Sequence, residues 1–194
     1  MKIKKISIKD PIYPESLKTI KNPPETLYAV GEIDLLNSKS IAIIGSRNAS
    51  EKGKQIAQKF ATELSYIGLT IISGLAKGID TQAHIGSYNK KGKTIAVLPS
   101  GFNNIFPKEN IDLSKKILLN GGLLLSEYPP ETIQKSSNFL SRNRIVSGLS
   151  IGVLIVEASY RSGTSVTAKY AKSQNKPIFA IPHEIDNIHR SWNK

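Results

Sequence analysis

The stretch Ile41-Ala-Ile-Ile-Gly45-Ser-Arg47-Asn-Ala-Ser50 sets the reading of the whole chain. A short apolar run rich in β-branched residues ends on a glycine. Ser50 then stands as the cap of a helix that carries Ile56, Phe60, Leu64 and Ile67 on one face and closes at Gly68. That is a buried strand, a tight turn and a helix, and the unit recurs toward the C-terminus. Apolar runs at Leu69 to Ile72, Thr94 to Leu98, Leu123 to Ser126, Ile151 to Val156 and Ile178 to Ile181 predict further strands. Stretches of helical period around Ile79 to Ser87, Ile111 to Leu119, Phe139 to Leu149 and Ser165 to Gln174 predict the helices between them. Strands that are apolar throughout and joined by helices form a parallel sheet covered on both faces, because each crossover is right-handed. The expected fold class is α/β: a doubly wound, mostly parallel Rossmann-like sheet with helices on both faces.

Toward the N-terminus the rhythm stops. Residues 1–39 are punctuated by Tyr13-Pro14, Pro23-Pro24 and Gly31, with Leu17, Ile20, Leu27, Tyr28 and Val30 between. This spacing reads as short helices or turns, an N-terminal extension (1–39) packed on the main domain (40–194). The chain has 194 residues, the size of one ordinary domain. Its 27 basic side chains against 15 acidic ones give a formal net charge of +12, which points to a polyanionic partner, nucleic acid ahead of an anionic membrane surface. Residues 1–39 hold seven basic and five acidic side chains, leaving 20 and 10 for the main body, which therefore carries most of the excess. The absence of cysteine excludes disulfides, thiolate zinc sites and a cysteine nucleophile. The basic start Met1-Lys-Ile-Lys-Lys5 has no apolar run behind it, and nothing approaches the roughly 18 apolar residues of a membrane span. A cytoplasmic protein with no membrane partner is expected.

In doubly wound folds, ligands bind at the carboxyl ends of the strands, so the strand-to-helix loops carry the function. After the first main strand only Gly45 fits a dinucleotide fingerprint, since Arg47 and Ser50 stand where further glycines belong, and no acidic residue follows the second strand at its tip. No nicotinamide cofactor, and no other cofactor, is implied. Gly45-Ser46-Arg47 instead offers a tight turn, a hydroxyl and a guanidinium, which suit a phosphate; the alternative is a turn glycine beside a solvated arginine. Asp80 and His84 share a helical face after Ser73-Gly74-Leu75-Ala76-Lys77-Gly78, but no nucleophile accompanies them, and both read as structural. Lys135-Ser-Ser-Asn138-Phe139-Leu-Ser-Arg142-Asn143-Arg144 interleaves cations, amides and one aromatic, as single-stranded nucleic acid requires: charge for phosphates and a ring for a base. Arg142 and Arg144, two apart, cannot share a helix face, so one is free to pair with a carboxylate while the other faces ligand. The alternative is a surface helix start with Phe139 in the core. Ser162-Gly163-Thr164 is a second glycine-and-hydroxyl turn at a helix start, on the same edge of the sheet.

The ordered blocks of this chain resemble the DNA-processing protein A family (DprA, also called Smf) nearly end to end. They comprise Tyr13-Pro14 with Leu17, Pro23-Pro24 with Leu27-Tyr28 and Gly31, Ile41 to Arg47, Ser73 to Asp80 with Ala83-His84, and Thr94 to Leu98 with Gly101. Further blocks are Phe106-Pro107 with Asn110, Ser126 to Pro129, Phe139 with Arg142 to Ser150, Val156-Glu157-Ala158, Ser162-Gly163-Thr164 and Ala180-Ile181-Pro182. The resemblance implies a dimeric, non-enzymatic protein that binds single-stranded DNA during natural transformation and DNA recombination and helps load the RecA recombinase, with 40–194 as the DNA-binding domain. It places DNA on Gly45, Ser46, Arg47, Phe139 and Arg142, with Lys135 near the family's basic position and Ser136 or Ser137 as the alternatives, since the spacing to Phe139 varies. Asn138, Asn143, Ser162 and Gly163 complete the expected contact set. Many members carry a small helical domain before the Tyr-Pro segment and a winged-helix-like domain after the core. Neither is expected here, and the stretch from His183 to Lys194 departs from the family's closing segment, which bears on dimerisation and RecA handling more than on DNA. The rival readings are a nucleotide-binding sensor and a nucleotide phosphoribohydrolase of similar fold. For the hydrolase, Thr167 occupies the position of the needed glutamate, although Glu127 and Glu157 remain near strand ends.

Overall fold

A computed structural model of the protein describes residues 2–88, 93–158 and 162–182. Residues 159–161, before the Ser162-Gly163-Thr164 turn, and the stretch from His183 lie outside the described residues. The strands are β1 (Lys4–Ser7), β2 (Thr26–Gly31), β3 (Ser40–Gly45), β4 (Thr70–Ser73), β5 (Thr94–Leu98), β6 (Leu123–Ser126), β7 (Val153–Glu157) and β8 (Ile178–Ala180). The helices are α1 (Glu15–Lys18), α2 (Glu51–Tyr66), α3 (Ile79–Tyr88), α4 (Ile111–Leu119), α5 (Ser136–Leu149) and α6 (Gly163–Ser173). One sheet holds all eight strands in the order β1-β2-β6-β5-β4-β3-β7-β8. From β6 to β8 across the sheet every pair is parallel. β3 to β7 are buried almost along their whole lengths, as both-face coverage requires. One face packs on α1, α5 and α6 through Ala42, Ile44, Ile72 and Ile155; the other packs on α2 and α3 through Ile41, Ile43 and Ile71, and on α4 through Leu98 and Leu124.

Two expectations are corrected. Residues 1–39 do not reduce to short helices and turns: β1 pairs antiparallel with β2, and β2 pairs antiparallel with β6, extending the sheet. Ile6, Leu27 and Ala29 from these strands, with Tyr13, Leu17 and Ile20, join the same apolar cluster as Ile72, Ile145 and Val153. The Tyr13 hydroxyl donates to the Pro24 carbonyl at 2.7 Å, tying the two proline turns together. A strand whose partner lies far along the chain leaves only a weak local signal, here Leu27 and Ala29 alternating with half-buried neighbours.

The second correction concerns α2. Its Ser50 cap forms as expected, the hydroxyl accepting from the Gly53 amide at 3.0 Å, and Gly68 closes the end with φ +89°. The most buried face, however, is Gly53, Ala57, Ala61 and Ser65, with Ile56, Phe60 and Leu64 beside it and Ile67 70% exposed. Small residues face α3 because the helices nearly touch: a Cβ on Gly86 would come within 2.9 Å of the Ala61 Cβ and overlap the Gln58 carbonyl. Among the described residues, no helix is long and apolar enough to cross a membrane.

Candidate nucleic-acid interface

The chain runs outward from β3 through β4 and β5 to β6, then returns to lay β7 on the other side of β3. The loops after β3 and β7 therefore diverge, and a cleft opens between them at the carboxyl edge, where such folds take ligands. It has a volume of about 860 Å³. Gly45, Ser46, Arg47, Phe139, Arg142, Asn143, Ser162 and Gly163 all line it. Lys135 is exposed at the start of α5 beside the lining residue Ser136 but is not itself a wall residue. Asn138 is turned away, donating to the Pro99 carbonyl at 3.0 Å.

The β3–α2 loop is fastened on both sides. The Ser46 amide donates to the Glu157 carbonyl at 2.6 Å, and the Ile79 amide donates to the Ser46 carbonyl at 3.2 Å. Gly45 is required by space, since a Cβ there would stand 2.5 Å from Ile79 Cγ1 and 2.7 Å from the Glu157 carbonyl oxygen. The Ser46 hydroxyl accepts from the Asn48 amide at 3.1 Å, shaping the turn. Arg47 is exposed, with its guanidinium carbon 5.1 Å from the centre of the Phe139 ring, a cation–π distance. Phe139 is half-buried and belongs to no core cluster; its ring meets the Phe106 ring edge-on, centroids 5.5 Å apart and planes at 81°.

Arg142 forms the floor. It is 5% exposed, and its Nη1 donates to the Gly74 carbonyl at 2.5 Å and to the Val97 carbonyl, while Nε donates to Asn143 Oδ1 at 3.1 Å. Burial lowers its pKa to about 10, with Asp80 opposing the shift, so the guanidinium stays charged at neutral pH. Gly74 has no room for a side chain because a Cβ would overlap that guanidinium. Asp80 accepts from the Gly74 amide at 3.1 Å and the Ala76 amide at 3.3 Å. Burial pushes its carboxyl up, while Arg142 and these amides hold it down. The other arginine, Arg144, pairs with Glu127, which divides the two arginines between a protein carboxylate and the cleft. Asn143 Nδ2 donates to the Gly163 carbonyl at 3.2 Å, linking α5 to the start of α6.

At that start, Ser162 caps α6 by position without a side-chain cap bond, and its buried hydroxyl has no hydrogen-bond partner among the described residues. Gly163 is exposed, and a Cβ on it would meet nothing within 4 Å among the described residues, none of which demands glycine there. An open helix N-terminus with a spare hydroxyl suits an anion. His84 is outside the cleft lining and fully buried, bonded through Nδ1 to Thr94 Oγ1 at 2.7 Å, a structural role.

Sequence reasoning held Ser136 only as an alternative to Lys135 and missed Leu140, although Ser136, Phe139, Leu140 and Asn143 follow the i, i+3, i+4, i+7 spacing of one helix face. It noted Phe106 only as part of a matching block, because that ring arrives from the irregular segment after β5, where no period marks it.

The class defined by this sheet is a Rossmann-like protein with a cleft at its topological switch point. The chain matches the family described as DNA recombination-mediator protein A over residues 4–193, and it belongs to that family. It is 42% identical over 184 residues to the DNA processing protein DprA of Bacillus subtilis, covering 94% of this chain and 62% of that one. The structure of DNA processing protein A from Streptococcus pneumoniae superposes with a TM-score of 0.90 at 40% identity, covering 96% of this chain and 65% of that one. That of DNA processing protein A from Helicobacter pylori, a structure concerned with its single-stranded DNA binding mode, superposes with a TM-score of 0.86 at 34% identity, covering 94% and 83%. The chain spans less than two thirds of the Bacillus and Streptococcus relatives.

Proposed function

We propose that this chain binds single-stranded DNA in natural transformation and DNA recombination, through the cleft between the β3 and β7 loops. The observation that carries the reading is the convergence of Arg47, Arg142, the Phe139 ring and the α6 N-terminus on one cleft. Phosphates meet the cations and the helix start, and a base meets the ring. The single-stranded DNA binding of the Helicobacter relative supports the same assignment. Gly45, Ser46, Arg47, Phe139, Arg142, Asn143, Ser162 and Gly163 are the proposed contacts, with Lys135 at the approach and Asn138 holding the start of α5 in place. Protection of incoming DNA, loading of the RecA recombinase, a homodimeric state and a cytoplasmic location are part of the proposal, supported by family membership.

Binding rather than catalysis fits the carboxylates. Glu157 accepts from the Ser50 amide and hydroxyl, Asp80 accepts from two amides, and Glu127 pairs with Arg144. Thr167, where a hydrolase needs a carboxylate, is buried and its hydroxyl points to the Gly163 carbonyl at 3.4 Å. Fluorescence anisotropy of labelled oligo(dT), titrated at several salt concentrations, tests the proposal. Affinity should fall with a log–log slope of about −0.7 per phosphate neutralised, and free mononucleotides should compete only at far higher concentration. Equal competition by mononucleotide would assign the cleft to a small ligand instead.

A further inference from the structure

One residue of β7 holds both ends of the loop that carries Arg47. Glu157 ends β7 opposite Gly45, where the parallel register between β3 and β7 slips by one residue. Up to that point β7 alternates regularly: Val153 and Ile155 face the α5 and α6 side of the sheet, Leu154 and Val156 the α2 side. Unbroken alternation would send Glu157 back toward α5. The irregularity instead puts its side chain on the α2 side with Val156, as a bulge re-aims a residue, and leaves Ala158 in the cluster on the α5 and α6 side. There the Glu157 carboxylate accepts from the Ser50 amide at 3.2 Å and from the Ser50 hydroxyl at 2.7 Å, at the N-terminus of α2. Its main-chain carbonyl accepts from the Ser46 amide at 2.6 Å. Between the two anchors lie Arg47, Asn48 and Ala49. The carboxylate is closely enclosed: Glu157 is 3% exposed, and a Cβ on Gly53 would overlap it.

By charge alone, an acidic residue in the wall of a cleft that takes phosphates opposes its ligand. At the first turn of α2, however, the carboxylate meets the positive end of the helix dipole, which offsets that charge. What remains is its effect on position. Arg47 is long and exposed, and its guanidinium rests 5.1 Å from the centre of the Phe139 ring. With the loop tethered at Ser46 and at Ser50, less backbone and side-chain freedom is lost when that guanidinium engages a phosphate. We propose that Glu157 is a positioning residue for the DNA site: it acts through the β3–α2 loop, holding Arg47 where a phosphate meets it. The inference rests on the single-stranded DNA reading and adds to it an acidic residue outside the proposed contacts.

Charge and position predict opposite signs. Oligo(dT) affinity and its salt slope are measured by anisotropy for the full chain, for E157A, E157Q and R47A, and for each Glu157 variant combined with R47A, all well below the lowest melting temperature of the set. E157A removes both side-chain acceptors and should weaken binding about fivefold, the scale of one charge contact. The magnitude of its salt slope should fall by about 0.7. E157Q makes the same change of charge but keeps one acceptor for Ser50, so its loss should be smaller, about twofold. With Arg47 already replaced, neither variant should weaken binding further, because the side chain that Glu157 positions is gone. If E157A does not fold, E157Q measured with and without Arg47 decides alone. Tighter binding by the Glu157 variants would show a carboxylate that only repels the strand, and equal losses with and without Arg47 would assign it to the general stability of the cleft. Either result overturns the proposal, and so does an R47A protein that binds like wild type, since no contact is then left to position. Failure of the wild-type protein to bind oligo(dT) overturns the single-stranded DNA reading itself and shows before any variant is compared.

Discussion

Arg47 and Arg142 both reach the cleft, and their surroundings assign them different work. Arg47 is exposed and rests on the Phe139 ring. Arg47→Ala should therefore leave the melting temperature unchanged, weaken oligo(dT) binding and reduce the magnitude of the salt slope by about 0.7, the contribution of one phosphate contact. An unchanged slope takes Arg47 out of the phosphate path. Phe139 belongs to no core cluster, so Phe139→Ala should cost about 1–3 kcal/mol of binding through lost stacking and little stability. Arg142 is different: its Nη1 serves the Gly74 and Val97 carbonyls, and its charge faces Asp80. Arg142→Ala leaves those buried carbonyls without their donor, at about 1–3 kcal/mol for a buried group so orphaned, and should lower the melting temperature as well as the affinity. A variant as stable as wild type would show that the guanidinium serves the ligand alone.

The start of α6 separates function from stability in the opposite sense. Gly163 opens the helix, and among the described residues nothing lies within 4 Å of where its side chain would begin. Gly163→Ala should raise stability by about 0.4–1 kcal/mol, because alanine restricts the unfolded chain more. The same methyl occupies the place where a phosphate would approach the helix N-terminus, so oligo(dT) binding should fall. Thermal melting and anisotropy on one preparation read both effects, and tighter binding would remove α6 from the site. The main elements were legible from sequence because their signals are local: unbroken β-branched runs at β3, β5 and β7, and a Ser50 cap before a helical period. β1 and β2 were not, since β2 finds its partner in β6, far along the chain. The buried face of α2 was misread because Ala57 and Ala61 mark an interface only once α3 lies against them. At the site, the loop glycines and Arg47 were visible as a pattern, whereas the commitment of Arg142 to the Gly74 carbonyl after β4 and the Val97 carbonyl within β5 exists only after folding.

The molecule carries +12 overall, yet few of its cations line the cleft. The remainder act as a diffuse field that attracts a polyanion from a distance and is screened over about 8 Å at physiological salt. Stability of the whole sheet depends on pH through a residue remote from that field. His84 is fully buried between α3 and the sheet. Thr94 Oγ1 donates its proton to the Ile71 carbonyl at 2.8 Å and so accepts from His84 Nδ1, which fixes a neutral ring with Nε2 buried and without a partner among the described residues. Burial first, and the nearby Arg142 charge second, lower its pKa from 6.5 to about 3. Between those values the unfolded chain binds a proton that the folded one refuses, so this contribution is complete above pH 6.5 and is lost as the pH falls toward 3. Each pH unit in that window removes up to about 1.4 kcal/mol. His84→Asn keeps a donor for Thr94 and cannot ionise. Chemical denaturation at neutral pH and near pH 5 should show wild type losing more stability than the variant, whatever offset the substitution itself introduces. Parallel losses in the two proteins would place the acid sensitivity elsewhere in the fold.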